Sequence, residues 1–231
     1  MPHNEISLIR GRYDRRNLQP GNLYDPLAPY NLMAGGERRL ALARWIKRAG
    51  LEPVSEKRLL EIGCGSGTNL LQLMLLGFQP ENMVANELLE ERAKRARAQL
   101  PASIEIVEGD ASELPLPNES FDVVFQSTVF TSILDDAFQQ KLADRMWALV
   151  KPGGGVLWYD YIYNNPSNPD VRGVPVRRIR RLFPHGQMTV WRLTLAPPIG
   201  RLVTRLSPKL YTLFNAFPFL RTHVLCWIRK P

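Results

Sequence analysis

Apolar and polar positions alternate along this 231-residue chain in blocks that change period in a regular order. Arg58 to Ile62 is a short apolar run bounded by glycine, the pattern of a buried strand, and Asn69 to Leu76 resumes with apolar residues at helical spacing. Met83 to Glu87 reads as a second strand, Glu90 to Leu100 as an exposed helix stopped by Pro101, and Ser103 to Val107 as a third strand. Phe121 to Phe125 gives a fourth strand. Asp135 to Val150 follows as a helix with Phe138, Leu142, Met146 and Leu149 inward, and Val156 to Tyr159 is a fifth strand. Strands that alternate with helices predict an α/β fold, a doubly wound and mostly parallel sheet.

The two ends read differently. Residues 1–30 are polar and broken by Pro20, Pro26 and Pro29, which predicts an irregular arm or lid over 1–36. An amphipathic helix from Glu37 to Arg48 opens the domain proper, 37–231. After a short basic helix, Pro175 to Phe183, two more strands are expected, Met188 to Ala196 and His223 to Arg229, which makes seven. Between them 197–220 is a proline-punctuated insertion with helical stretches at Ile199–Leu206 and Lys209–Phe214, placed on the acceptor side.

Chemistry enters at the turn after the first strand, Glu61-Ile62-Gly63-Cys64-Gly65-Ser66-Gly67. Alternate glycines between a strand and a helix allow unusual φ values and close approach of a ligand to backbone N–H groups. A dinucleotide turn, G-x-G-x-x-G, needs its third glycine where this chain has Thr68. Glu87 ends the second strand at the position where doubly wound sheets offer a carboxylate to a ribose diol, with Asn86 as a neighbouring polar contact.

The acid-x-G-x-G-x-G motif at Glu61, Gly63, Gly65 and Gly67 resembles the class I S-adenosylmethionine-dependent methyltransferases. Three further landmarks resemble the same family: Glu87, Gly109-Asp110-Ala111, and the helix, Lys151-Pro152-Gly153-Gly154 turn and fifth strand. The likeness covers about Glu37 to Tyr161. It implies a Rossmann-like sheet, S-adenosyl-L-methionine as cofactor and S-adenosyl-L-homocysteine as product. It also implies that Asp110 accepts from the adenine amino group while the N–H of Ala111 meets the ring. Cys64 in the turn and Gln126 at the end of strand four belong to the same expected cofactor set. In such families an N-terminal arm folds over the cofactor, which nominates Tyr24 and Tyr30. Strand four ends in Gln126-Ser127-Thr128-Val129-Phe130 and lacks the Asn/Asp-Pro-Pro-aromatic signature of enzymes that methylate base amines.

Composition adds one asymmetry. Residues 171–231 hold twelve Lys and Arg and no Asp or Glu, whereas residues 1–170 carry 18 basic against 22 acidic groups. Basic residues interleaved with Leu, Ile, Phe and Pro suit a small or lipid-linked anionic acceptor, or the surface of an anionic membrane. They favour nucleic acid less. Two cysteines make no disulfide framework, and the first residues are no signal peptide, so a reduced, cytoplasmic setting is expected, with peripheral contact at the inner membrane face as an option. No metal-ligand pattern appears, and the oligomeric state is left open.

Ligands of open α/β sheets bind beyond the carboxyl ends of strands, so Tyr159, Tyr161, Tyr163 and Asn164 are the expected acceptor contacts. A hydroxyl acceptor needs a base, for which Asp160, His185 and His223 are the candidates in that order. The favoured reading is O-methylation of a glycan or metabolite, with a loose likeness to enzymes of bacterial surface-glycan and secondary-metabolite pathways. The alternatives are an RNA methyltransferase whose basic tail holds phosphates, a non-catalytic cofactor-binding scaffold, and a dinucleotide oxidoreductase.

Overall fold

The computed structural model describes residues 3–17 and 25–231. Tyr24, one of the two tyrosines expected to cover the cofactor, lies outside the described residues. One sheet contains β1 (Leu59–Ile62), β2 (Met83–Glu87), β3 (Glu105–Glu108), β4 (Phe121–Ser127), β5 (Val150–Tyr161), β6 (Gln187–Leu195) and β7 (Arg221–Arg229). The order is β3-β2-β1-β4-β5-β7-β6, and every pair is parallel except that β7 runs antiparallel to β5 and β6. Strand order reverses between β1 and β4. Connections there leave toward opposite faces and open a crevice at the carboxyl ends.

The helices are α1 (His3–Asn17), α2 (Pro29–Ala49), α3 (Thr68–Met74), α4 (Glu90–Gln99), α5 (Asp136–Leu149), α6 (Val176–Leu182), α7 (Pro197–Leu206) and α8 (Pro208–Asn215). Successive strand residues point to opposite faces, and both faces are covered, so the central strands are buried and mostly apolar. Leu60, Val124, Val156 and Trp158 pack with α5 and α6 on one face. Leu59, Val123, Phe125 and Leu157 pack with Trp45 of α2 and Leu70 and Leu73 of α3 on the other.

The N-terminal segment departs most from the sequence expectation. Residues read as irregular contain α1, and α2 begins at Pro29 instead of Glu37. α1 has no broad apolar stripe, so tertiary contacts hold it. Ile9 is buried, and Arg12 donates to Glu5 Oε1 at 2.7 Å and to the Ser132 carbonyl at 3.1 Å. Pro29 sits in the first turn of α2, where a missing N–H costs nothing, and Gly35 and Gly36 inside the helix weaken its pattern.

β5 is also longer than expected. Phe121 pairs with Val150 and Val123 with Gly155, so the Lys-Pro-Gly-Gly segment bulges within the strand. The expected insertion appears as α7 and α8 at the carboxyl end of β6, and both pack on α2.

Candidate active site

A cavity of about 560 Å³ opens at the β1–β4 reversal, within the range of small-molecule sites. Gly63, Gly65 and Gly67 all adopt positive φ, at 64°, 60° and 90°. At Gly65 nothing lies within 4 Å of where a Cβ would stand, so its backbone faces open cavity. At Gly63 and Gly67 a Cβ would strike Val129 and Leu100 at 2.6 and 2.7 Å, so those two glycines answer to packing. The turn is steered by Glu87, which accepts from the Gly65 N–H at 2.8 Å and from the Leu89 N–H at 2.9 Å.

Four sequence-nominated residues besides Gly63, Gly65 and Glu87 border this cavity: Cys64, Asn86, Asp110 and Ala111. Asp110 accepts from the Ser112 N–H at 2.8 Å and so shapes the loop that carries it. Asn86 spends its side-chain N–H groups on the carbonyls of Val107 and Gly109, tying β2 to β3. Burial pushes the Cys64 thiol well above its usual range, so it is no nucleophile at neutral pH.

Glu61 stands behind the turn, fully buried. Asn69 Nδ2 donates to Oε1 at 2.6 Å, while Oε2 has no partner among the described residues. Burial pushes its carboxyl up to about 8. Gln126 is fully buried too. Its Oε1 accepts from the Val129 N–H at 3.1 Å, so it fixes the loop after β4 and does not border the cavity.

The expected acceptor and base residues are placed elsewhere. Asp160 is wholly buried, with Thr131 Oγ1 donating to Oδ1 at 2.8 Å and the Tyr161 N–H at 3.0 Å. It anchors the segment after β4 and faces no substrate space. His185 is exposed in the turn before β6, at the end of the sheet opposite the cavity, because Gln187 aligns with Arg229 and Arg229 with Gly155 at the start of β5. His223 stacks on Tyr159 at 5.2 Å. Burial first, then Arg38, depress it to about 4, so it is a neutral and weak base.

Tyr159 is buried with its hydroxyl 2.7 Å from Thr194 Oγ1, and Tyr161 follows it on the α2 face of β5. Tyr163 is exposed beside Arg192, and Asn164 accepts from the Gly173 N–H at 3.0 Å. Tyr30 is buried under α7 and α8, donating to the Leu195 carbonyl at 3.1 Å. None of these borders the cavity, since β5 lies beyond β4 from the crevice.

What does border it was missed. Ile6, Ile9 and Tyr13 of α1 form a roof, and Arg38, Arg92, Arg95 and Thr128 complete the wall. Arg92 lies 4.4 Å from the Tyr13 ring, and Tyr13 Oη is 3.3 Å from Ser132 Oγ, so α1 bridges α4 and the loop after β4. Arg92 and Arg95 are three apart on a helix that starts beside Glu87, a legible signal. Tyr13 offered none. Thr128 holds φ at 58°, which is rare for a β-branched residue, at the carboxyl end of β4.

Residues 60–158 match a family model described as a methyltransferase domain. Over those residues the chain is similar to a class I S-adenosylmethionine-dependent methyltransferase domain. A demethylmenaquinone methyltransferase of Deinococcus radiodurans is 31% identical over 165 residues, 69% of this chain and 61% of that protein. A fatty-acid O-methyltransferase of Mycolicibacterium smegmatis is 31% identical over 123 residues, 53% of this chain and 43% of that one. A tRNA N(3)-cytidine methyltransferase of Gallus gallus is 29% identical over 112 residues, 45% of this chain and 30% of that one. The chain thus spans less than two thirds of the length of each of these relatives. A methyltransferase structure from Archaeoglobus fulgidus shares the fold at a TM-score of 0.59 and 16% identity, covering 87% of this chain and 99% of that one.

The residues of the crevice fit S-adenosylmethionine, the cofactor of that family. The crevice offers an open glycine backbone and a carboxylate beside that backbone, and behind the turn the buried Glu61 keeps a carboxylate oxygen with no partner among the described residues. Arg38 supplies a cation for a carboxylate on the same wall.

Proposed function

We propose that the chain methylates an acidic oxygen of an apolar, small or lipid-linked acceptor with S-adenosylmethionine. The observation that carries this reading is the make-up of the cavity. Its polar half is the glycine turn with Glu87, Asp110 and Arg38, and its other half is apolar, from Ile6, Ile9, Val129, Ile133 and Phe138.

S-adenosylmethionine supplies a methyl group already activated on a sulfonium. The chain's own work is therefore to bind, align and keep water out. Glu61 and Arg38 would hold the amino-acid end, Glu87 the ribose hydroxyls, and Asp110 with the Ala111 N–H the adenine. α1 excludes water from above.

An acceptor oxygen that must lose a proton in the site needs a base within reach. Among the described cavity residues, Glu87 and Asp110 are committed to backbone N–H groups, and Asp160 and His185 border no part of the cavity. A carboxylate or another oxygen acidic enough to be ionised beforehand meets this constraint. The fatty-acid and demethylmenaquinone enzymes among the relatives support an apolar acceptor. The insertion 197–220 would flank the acceptor side.

The experiment is transfer of labelled methyl from S-adenosylmethionine into a cell extract, separated into lipid, small-molecule, RNA and protein pools. Alkali-labile label in the lipid or small-molecule pool is expected, as for a methyl ester. Label confined to RNA would instead favour the tRNA relative, whose likeness covers 45% of this chain, and would overturn the reading.

A further inference from the structure

The insertion between β6 and β7 presents a face that the methyl-transfer site does not use. On α7, Leu202 and Leu206 are 63% and 81% exposed, while Val203 and Thr204 are buried against the domain. Leu213 of α8 continues that apolar exposure, and Phe217 and Phe219 extend it into the next turn. Five large apolar side chains open to solvent within 18 residues form a patch of the kind that marks an interaction site.

The charges around the patch have one sign. Arg205 and Lys209 are exposed in the middle of it, and no Asp or Glu occurs anywhere in 171–231. Glu37, the acid that packs closest from α2, is consumed: Tyr211 donates to it at 2.6 Å and Asn215 at 2.8 Å. Two helices of ten and eight residues joined at Ser207 are too short to cross a bilayer, and among the described residues no helix is long and apolar enough to do so. Short amphipathic helices with leucine and phenylalanine on one face and cations between them lie in the plane of a lipid surface.

We infer that α7, α8 and the Phe217–Phe219 turn dock this chain on an anionic phospholipid surface. The leucines and phenylalanines enter the acyl boundary, while Arg205 and Lys209 meet headgroup phosphates. The inference rests on the exposed face and its charge, not on the identity of the methyl acceptor. The insertion follows the carboxyl end of β6, so docking sets the same rim of the sheet that holds the cofactor cavity toward the lipid.

The test is sedimentation of the full chain with vesicles of phosphatidylcholine alone or mixed with phosphatidylglycerol. Binding is expected only with the anionic vesicles, weakened by added salt because surface charge is screened within about 10 Å at 0.1 M. Leu206→Ser with Phe219→Ser, and separately Arg205→Glu with Lys209→Glu, should each lower the bound fraction at least about tenfold. S-adenosylhomocysteine binding, unchanged in both variants, verifies that they fold. Equal binding of parent and variants would overturn the inference. So would absence of binding to anionic vesicles at low salt, a salt-sensitive complex with tRNA in place of vesicles, or a concentration-dependent dimer that Leu206→Ser abolishes.

Discussion

The carboxylate of Glu87, at the end of β2, holds the Gly65 N–H at 2.8 Å across the mouth of the glycine turn. One acid thereby fixes the backbone that faces the cavity and presents the same carboxylate to it. Hydrogen bonds to charged groups contribute about 1.5–3 kcal/mol each. Glu87→Ala should weaken S-adenosylhomocysteine binding at least about tenfold by calorimetry, the factor that 1.4 kcal/mol corresponds to. Unaltered affinity would remove Glu87 from the site.

Gly65 and Gly67 should separate binding from stability. Both require positive φ, but only Gly67 places a new Cβ against a side chain, Leu100 at 2.7 Å. Gly67→Ala should destabilise the fold by about 2 kcal/mol or more in urea unfolding, from strain and clash together. Gly65→Ala should cost about 1 kcal/mol in stability and show its larger effect in cofactor affinity.

Asp160 gives a pH signature. Burial pushes its carboxyl up to about 7, and burial pushes Glu61 the same way, up to about 8. Unfolded carboxyls titrate near about 4, so between there and neutrality the folded chain binds more protons than the unfolded one. Stability from these groups is present at about pH 4 and is lost as pH rises through the folded values. Asp160→Asn should flatten the fall in melting temperature between pH 4 and 7 while methyl transfer persists within about threefold, a change under 1 kcal/mol in barrier. Transfer abolished in a folded Asn variant would restore Asp160 as a base.

Arg12 tests the roof. It is buried against Glu5 and the Ser132 carbonyl, and removing one partner of a buried pair costs about 3–5 kcal/mol where the pair cannot relax. α1 can relax by undocking. Arg12→Ala should therefore speed amide exchange in α1 and raise the KM for the cofactor several-fold, with the unfolding of the sheet unchanged.

Thr128 carries strain where β4 reaches the crevice. Thr128→Gly should relieve about 1 kcal/mol and raise the melting temperature, while lowering kcat if that residue positions the acceptor. A gain in both would show that the strain serves no transfer step.

The sheet and one wall of the cavity were legible because they rest on local signals. Alternating strands and helices fixed the topology, and Gly63, Gly65 and Glu87 announce themselves by type and spacing. The acceptor side was not legible, since it depends on which way side chains point across strands. Asp160 and Tyr159 are neighbours on β5 that face opposite layers, and neither reaches the cavity. α1 was invisible for a related reason. It is held by Arg12 and Glu5 reaching the backbone of Ser132 and Leu134, which are distant in sequence, and not by its own periodicity. Tyr30 looked like a lid and is instead a buried wedge below Gly200, where an added Cβ would meet its ring at 2.3 Å.

The most direct measurement is calorimetric titration of the full chain with S-adenosylhomocysteine and, in parallel, with a nicotinamide dinucleotide. A crevice built on Gly65, Glu87 and Asp110 predicts one saturable site for S-adenosylhomocysteine, weakened by Glu87→Ala, and no heat from the dinucleotide. Saturable binding of the dinucleotide with none of S-adenosylhomocysteine would contradict it.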